Sequence, residues 1–217
     1  CKIALINLMS IHIVSISGVS ASGKSLLAKT LRKTISGKLP YLTIDVLEED
    51  SYYRDQADID VNQRQITNYD HPSAIDHDLL MRHLKLLHSG SSIDVPVYDY
   101  HRHTRAYMTR KIQPADLIIL SGALLLHKNQ FEPYIDFSVF IDCSLDTCLS
   151  RRIIRDVAER GRTAKFVKEQ FRRDVIPMYY EYINQTRNFA DLIVQGEKDV
   201  SALANQIAKV LLSHELP

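Results

Sequence analysis

Cysteine is scarce in this chain, and neither sign of charge predominates. The 217 residues include three cysteines, and the formal net charge at pH 7 is +1. An odd, irregularly spaced set of cysteines argues against a disulfide scaffold and favours a reducing cytoplasm. A balanced charge supplies no long-range field that would recruit a nucleic acid or a membrane surface. We therefore expect neither of those partners.

Long apolar runs are also lacking. The apolar stretch at residues 1–9 is too short to span a bilayer and is interrupted by Asn7. We expect this stretch to merge into the strand that follows, and we do not assign it as a signal peptide. A length of 217 residues suits one domain with a small lid, and a hydrophobic fraction of 45% is enough for a core.

Short apolar runs that alternate with helical patterns indicate the fold class. This alternation is typical of an α/β fold in which helices flank both faces of a parallel sheet. One predicted helix opens with a capping box formed by Ser73 and Asp76 and ends near Leu87. The predicted strands are residues 11–16, 42–47, 117–120, 137–141 and 192–194.

Two segments interrupt this rhythm. Residues 93–98 alternate apolar and polar side chains, and a polar turn and a second extended piece follow. We therefore predict an inserted β-hairpin over about residues 93–112. Residues 151–173 are rich in arginine, and we expect them to form a mobile lid. All of these elements are assigned to a single domain, residues 1–217.

The most specific motif is the run GVSASGKS at residues 18–25, which fits the phosphate-binding loop of P-loop NTPases and kinases. An apolar strand precedes it and a helical pattern follows, as this loop requires. Glycines let successive N–H groups face an anion, and the helix N-terminus adds partial positive charge. Lys24 would reach the β- and γ-phosphates, and the Ser25 hydroxyl would ligate Mg²⁺. The predicted nucleotide-binding residues are Gly18, Val19, Ser20, Ala21, Ser22, Gly23, Lys24 and Ser25.

Four further segments narrow the function. They are EDSYYRD at residues 49–55, NYDHPSAID at 68–76, PVYDYHRH at 96–103 and RRIIRDVAERGR at 151–162. In this order and spacing they resemble the uridine–cytidine kinase family, and its bacterial members most closely. The resemblance runs from about Ile11 to about Val194. It implies a P-loop kinase fold and transfer of a γ-phosphate from ATP or GTP, with Mg²⁺, to a nucleoside.

The resemblance also implies roles for individual residues. Asp50 would be the general base on the nucleoside 5′-hydroxyl. Lys24, Arg155 and Arg160 would neutralise the phosphates during transfer. The implied nucleoside-binding residues are Tyr53, Tyr69, Asp70, Tyr98, His103, Arg152, Arg162 and Gln170.

The nucleoside-binding assignments have a chemical basis. Asp70 would bind the ribose hydroxyls, since a carboxylate can accept two hydrogen bonds at once. Tyr98 and His103 would offer a ring edge and polar groups to the pyrimidine. Without the surrounding motifs, Asp70 would be an ordinary turn residue, and the other two would be ordinary packed residues.

The arginine-rich segment allows two interpretations. Mobile arginines can neutralise the charge that develops on a transferring phosphoryl group. The same segment could instead be a salt-bridged surface helix, because Arg152–Asp156 and Arg155–Glu159 are both spaced i, i+4. Both interpretations remain open at the level of sequence.

The chain departs from the resembled family at two places. Where the family carries Glu-Gly-Ile-Leu and its Glu helps to hold Mg²⁺, this chain has SGAL at residues 121–124. Ser121 could act on the metal only through a water, so metal binding is weakened unless Asp50 and Ser25 suffice. The second departure, Gln-Gly at residues 195–196 in place of Pro-Arg-Gly, leaves the donor preference open.

The sequence therefore predicts a kinase that phosphorylates uridine, and with it cytidine, at the 5′-hydroxyl in cytoplasmic pyrimidine salvage. The implied partners are the nucleoside, ATP or GTP, and Mg²⁺, and the family implies a homotetramer. Two alternatives stay open. One is a related P-loop kinase with another hydroxyl acceptor. The other is a catalytically impaired nucleotide-binding relative, because Ser121 replaces the metal-binding glutamate.

Overall fold

The structure is a computed structural model that describes residues 11–212, and the apolar stretch at residues 1–9 lies outside that range. Within it, the strands in chain order are β1 (His12–Ser17), β2 (Ile44–Glu48), β3 (Ile93–Asp99), β4 (Thr104–Ile112), β5 (Leu117–Ser121), β6 (Phe137–Asp142) and β7 (Leu192–Gln195). Five of them form one parallel sheet in the spatial order β2-β5-β1-β6-β7. The predicted α/β fold with a parallel sheet is confirmed.

Helices connect the strands of this sheet. In the described range they are α1 (Lys24–Lys38), α2 (Val61–Ile66), α3 (His77–His88), α4 (Leu145–Arg160), α5 (Ala164–Gln170), α6 (Ile176–Met178) and α7 (Val200–Leu212). Two π-helical stretches, Phe171–Val175 and Tyr179–Ile183, flank α6 and keep the chain helical there. Across residues 11–212, no helix combines the length and the apolar character needed to cross a bilayer.

The sheet is buried on both faces, which explains why its strands appear in the sequence as continuous apolar runs. On one face, Val14 and Ile119 pack with Leu27 of α1 and Ile207 of α7. The opposite face belongs to a second cluster of buried side chains, made by Ile13, Leu47, Leu120 and Phe140 together with Leu80 and Leu84 of α3.

Parallel alignment places the carboxyl ends of neighbouring strands at one edge of the sheet. In the register of β1, β5 and β2, Ile16 pairs with Ser121, and Ser121 pairs with Glu48. The segments that follow these three strands therefore start side by side. Ligands of open α/β sheets bind at this edge, so the topology gives the first indication of where a site lies.

The two interruptions seen in the sequence are both present. β3 and β4 pair antiparallel, from Ile93 opposite Ile112 to Asp99 opposite Thr104, and form the predicted hairpin. The arginine-rich residues 151–173 fold as the end of α4, a turn at Gly161 and α5. Buried Val167 and Phe171 supply the apolar contacts that this segment lacks at its start.

The predicted capping box, in which Ser73 and Asp76 open the helix together, was wrong. The N-cap of α3 is Asp76, whose carboxylate accepts the backbone N–H of Leu79 at 3.1 Å. Ser73 lies in a separate 3₁₀ turn, Pro72–Ala74. Between them, Ile75 is extended and forms an isolated antiparallel bridge with Tyr53, so the chain cannot be helical from Ser73 onward.

This correction predicts which residue stabilises the start of α3. Asp76→Ala should lower the free energy of unfolding by about 0.5–2 kcal/mol, because an N-cap is lost. Its carboxylate also lies 3.4 Å from Arg105, and Asp76→Asn removes that ion pair while keeping a good cap. Urea unfolding should rank Asp76→Asn much closer to the parent protein than Asp76→Ala. Ser73→Ala is the matched control, and a loss as large as that of Asp76→Ala would contradict the assignment.

Candidate active site

The loop between β1 and α1 has the backbone of a phosphate-binding loop. Gly18 and Gly23 adopt φ values of +145° and +108°, which disfavour any residue with a side chain. A Cβ at Gly18 would also lie 2.7 Å from the carbonyl oxygen of Ile141. The close approach of β6 and the left-handed turn at Gly23 therefore explain both glycines of the motif.

The loop carries polar groups of the kind that bind a polyphosphate. The Nζ of Lys24 donates to the carbonyl of Val19 at 3.0 Å. Burial lowers the pKa of Lys24, and the carboxylates of Asp50 and Glu49 oppose that shift. The Ser22 hydroxyl is buried and has no hydrogen-bond partner among residues 11–212. With the N-terminus of α1, these groups fit a bound anion.

A cavity of about 410 Å³ opens over this loop at the carboxyl edge of the sheet. Gly18, Val19 and Ser22 do not line it, because they form the buried underside of the loop. The residues predicted from the sequence that line it are Ser20, Ala21, Gly23, Lys24, Ser25, Asp50, Tyr53, Asp70, Ser121 and Arg155.

A second cavity, of about 40 Å³, shares a wall with the first. It brings together every nucleoside-binding residue predicted from the sequence, namely Tyr53, Tyr69, Asp70, Tyr98, His103, Arg152, Arg162 and Gln170. Arg155 and Arg160 also reach it. Asp50 lines both cavities, so its carboxylate lies where the two spaces meet.

Aromatic rings form one side of the second cavity. The rings of Tyr53 and Tyr98 lie 5.0 Å apart, and the His103 ring stacks on Tyr69 at 5.2 Å. Burial, reinforced by Arg162 and Arg160, lowers the pKa of His103 to about 4. The imidazole is therefore neutral at pH 7, with one nitrogen that donates and one that accepts. Tyr98 is buried, and its ring lies 6.3 Å from that of Tyr69.

A fully buried carboxylate organises the arginines on the opposite side. Asp156 lies 2.8 Å from Arg155, 3.0 Å from Arg162, 3.6 Å from Arg160 and 3.7 Å from Arg152. Burial alone would raise the pKa of Asp156, but the arginines outweigh it and hold the pKa below its usual value. These guanidinium groups are thus oriented by a common partner on α4.

The surface-helix interpretation of these arginines is correct for one pair only. Arg152 does pair with Asp156, but Arg155 pairs with Asp156 and not with Glu159. Arg152 is only 5% exposed, so its pair is buried and not on the surface. Arg152 donates to Ser20 Oγ at 2.9 Å and lies 3.6 Å from the carboxylate of Asp70.

Asp70 is therefore occupied by an arginine in this arrangement. Burial raises the pKa of Asp70, and Arg152 opposes that rise. Arg152 also donates to Gln170, and Gln170 accepts a second hydrogen bond from Arg162. Because ligand pockets are typically about 300–1,000 Å³, a cavity of about 40 Å³ must widen before it admits a nucleoside.

Tyr100 and Arg151 are site residues to which the sequence prediction assigned no role. The Tyr100 hydroxyl donates to Asp50 at 3.5 Å, and the guanidinium of Arg160 lies 4.1 Å above its ring. Arg151 donates to the carbonyls of Ser22 and Gly196 and so joins the phosphate loop to the end of β7. Both lie inside recognised motifs, but only their contacts reveal what they do.

The oxygen donors in the larger cavity fit a hard cation. Ser25, Glu48, Asp50 and Ser121 line it together. No three His, Cys, Asp or Glu side chains in the described part of the chain converge as a metal cage. This combination suits Mg²⁺, which keeps several waters and needs only one or two carboxylates besides phosphate oxygens.

Solved structures share this architecture. A putative fructose transport system kinase from Silicibacter sp. TM1040 superposes with a TM-score of 0.70, at 17% identity over 86% of this chain and 90% of that one. A possible uridine kinase from Bacillus stearothermophilus gives a TM-score of 0.54, at 19% identity over 85% and 88% of the two chains. At these identities the likeness establishes the fold alone.

Comparison with sequence relatives identifies the family. A uridine kinase from Shewanella sp. (strain ANA-3) is 45% identical over 192 residues, which cover 88% of this chain and 90% of the relative. A uridine kinase from Shewanella baltica (strain OS155) is 44% identical over the same shares. The phosphoribulokinase / uridine kinase family model matches residues 13–202. The chain therefore belongs to the phosphoribulokinase / uridine kinase family and is a phosphotransferase.

Proposed function

We propose that this protein is a nucleoside kinase that transfers the γ-phosphate of ATP or GTP to the 5′-hydroxyl of uridine or cytidine. The observation that carries the proposal is the position of Asp50 on the wall shared by the two cavities. One cavity holds the phosphate loop, and the other holds the aromatic side chains. A carboxylate at their junction can accept the proton of a hydroxyl as that hydroxyl attacks a phosphate.

The donor side follows from the loop. Lys24 gives up its bond to the Val19 carbonyl and turns to the β- and γ-phosphates, while the loop N–H groups hold the α- and β-phosphates. When bound, Mg²⁺ neutralises the charge that develops on the phosphates, and Ser25 is the loop residue that would hold it. The carboxylates of Asp50 and Glu49 favour the charged form of Lys24 and so oppose the lowering of its pKa by burial.

The acceptor side suits a planar, neutral base. The stacked pair of Tyr69 and His103 offers an aromatic surface, and neutral His103 and the Tyr98 hydroxyl offer polar groups to the base. The aromatic surface is the feature that favours a nucleoside over a phosphorylated sugar, because a sugar phosphate has no planar ring to stack there.

Acceptor binding rearranges the contacts around Asp70. For the ribose hydroxyls to bind its carboxylate in the place of Arg152, the Arg152 side chain moves aside. Return of the arginines would then exclude water, which otherwise competes with the nucleoside as acceptor. Arg155 and Arg160 line the acceptor cavity beside Asp50 and would meet the transferring phosphoryl group.

The proposal extends to the cellular setting that the resemblance implies. The products would be UMP and CMP, formed in cytoplasmic pyrimidine salvage by a homotetramer. Support comes from the two Shewanella relatives, which are named uridine kinases and align over most of this chain. A coupled assay with uridine and cytidine, ATP or GTP, and Mg²⁺ tests the activity. Robust turnover of a sugar phosphate with none of either nucleoside would contradict it.

Removal of the proposed base should reduce turnover without loss of donor binding. Asp50→Asn is expected to lower kcat by about 10²–10⁴-fold, because the attacking hydroxyl loses its proton acceptor. Affinity for ADP, measured by isothermal titration, should change little. Asp58→Asn, at an exposed position outside both cavities, is the matched control and should retain parental activity. Parental kcat in Asp50→Asn would remove Asp50 from its role.

The ribose contact predicts a distinct pH dependence. The pKa of Asp70 is raised by burial, so its carboxylate is lost at a higher pH than an ordinary aspartate as the solution is acidified. The ratio of kcat/KM for uridine to that for 2′,3′-dideoxyuridine should therefore fall on acidification, since only uridine uses the carboxylate. Taking this ratio cancels any effect of pH on the transfer step that the two substrates share.

Asp70→Asn should remove the pH dependence of the ratio of the two kcat/KM values. Loss of a hydrogen bond to a charged group should reduce kcat/KM for uridine by about 10–100-fold and affect the dideoxy analogue much less. Steady-state kinetics between pH 5 and pH 8 checks both statements. An equal loss for the two substrates, or an unchanged pH profile of the ratio, would assign Asp70 to a structural role.

A further inference from the structure

The ends of β2 and β5 place two side chains next to each other at the mouth of the larger cavity. Glu48 is the last residue of β2 and is the register partner of Ser121, the last residue of β5. Adjacent strands lie about 4.8 Å apart, and register partners project to the same face of a sheet. The two side chains are therefore neighbours.

The strand alternation shows which face they share. Val46 and Ile119, two residues earlier on each strand, pack with the α1 side of the core. Leu47 and Leu120 pack on the opposite side. Glu48 and Ser121 thus project on the face of α1, the helix whose first turn carries Lys24 and Ser25, and both line the same cavity as those residues.

Three other carboxylates at this edge contact protein groups. Glu49 is buried and accepts the backbone N–H of Leu124 at 3.0 Å, and it also contacts His77 at 3.1 Å. Asp70 faces Arg152, and Asp50 faces Tyr100. Glu48 and Glu159 are the cavity-lining carboxylates without a side-chain partner in the described range.

Of these two, Glu159 is exposed on α4, whereas Glu48 lies beside Ser121 at the end of β2. The Glu48 side chain is half-buried and makes no hydrogen bond or ion pair with any other residue in the described range. The neighbouring phosphate loop independently points to a bound polyphosphate, through Ser25 and through the buried, unpartnered hydroxyl of Ser22. An unengaged carboxylate opposite a neutral serine is thus held next to a triphosphate site.

We propose that Glu48 supplies the carboxylate that holds the divalent metal through its water ligands, in place of the charge that Ser121 does not provide. The inference rests on the proposed function, because the metal would enter with the nucleotide. The carboxylate would thus stand at the end of the adjacent strand, in the cavity that Ser25 also lines. Ser121 is then compatible with an active kinase.

Metal affinity tests this assignment directly. Mn²⁺ binding to the protein with ADP is measured by electron paramagnetic resonance, which needs no acceptor and no turnover. Glu48→Gln should weaken Mn²⁺ binding by about 10–100-fold, the usual range for outer-shell partners of a metal. Glu48→Asp, which keeps the charge on a shorter side chain, should fall between Glu48→Gln and the parent protein. Affinity for ADP in excess EDTA should be unchanged in both.

Two further variants sharpen the result. Ser121→Glu, introduced into Glu48→Gln, should restore Mn²⁺ affinity, since the charge returns at the register-paired position. Glu159→Gln is the matched control, because Glu159 lines the same cavity from α4 and should have little effect. Parental Mn²⁺ affinity in Glu48→Gln, an equal loss in Glu159→Gln, or no restoration by Ser121→Glu would overturn the proposal.

The outcomes separate this inference from the proposed function. Glu48-dependent Mn²⁺ binding in a protein that phosphorylates no nucleoside would overturn the proposed function and leave the metal assignment standing. Phosphorylation of uridine together with Mn²⁺ binding that does not depend on Glu48 would overturn the metal assignment alone.

Discussion

The alignment of parallel strand ends is the constraint on which the site depends. β1, β5 and β2 finish side by side, so the phosphate loop, Ser121 and the Glu48–Asp50 segment start from one edge. The sheet is buried on both faces, and a shift of one residue in any strand would exchange the side chains that pack in the two buried clusters. The same packing that stabilises the fold therefore fixes the distances between groups that are far apart in the chain.

Buried charge forms the second layer of organisation. Asp156 holds four arginines, and Arg152 in turn holds Asp70. Removing one partner of a buried pair costs about 3–5 kcal/mol, so Asp156 is expected to be important for the placement of these arginines. In the proposed function, the ribose hydroxyls would replace Arg152 as the partner of Asp70.

Some features follow from local sequence and others do not. The phosphate loop and the hairpin were both predictable, because glycine pattern and strand alternation are local signals. The start of α3 was not, since the bridge between Ile75 and Tyr53 comes from residues distant in the chain and overrides the local capping pattern. Tyr100 lies in a recognised motif, but its contact with Asp50 depends on how the hairpin packs.

By itself, the sequence determined the α/β class, the phosphate loop, and which side chains were assigned to nucleotide binding and which to nucleoside binding. Each of these features depends on short runs of residues. Only the tertiary structure decided that Asp50 lies between two cavities, that Asp156 gathers the arginines and that Glu48 is the neighbour of Ser121. These relations arise from strand register and burial, which join residues that no local pattern connects.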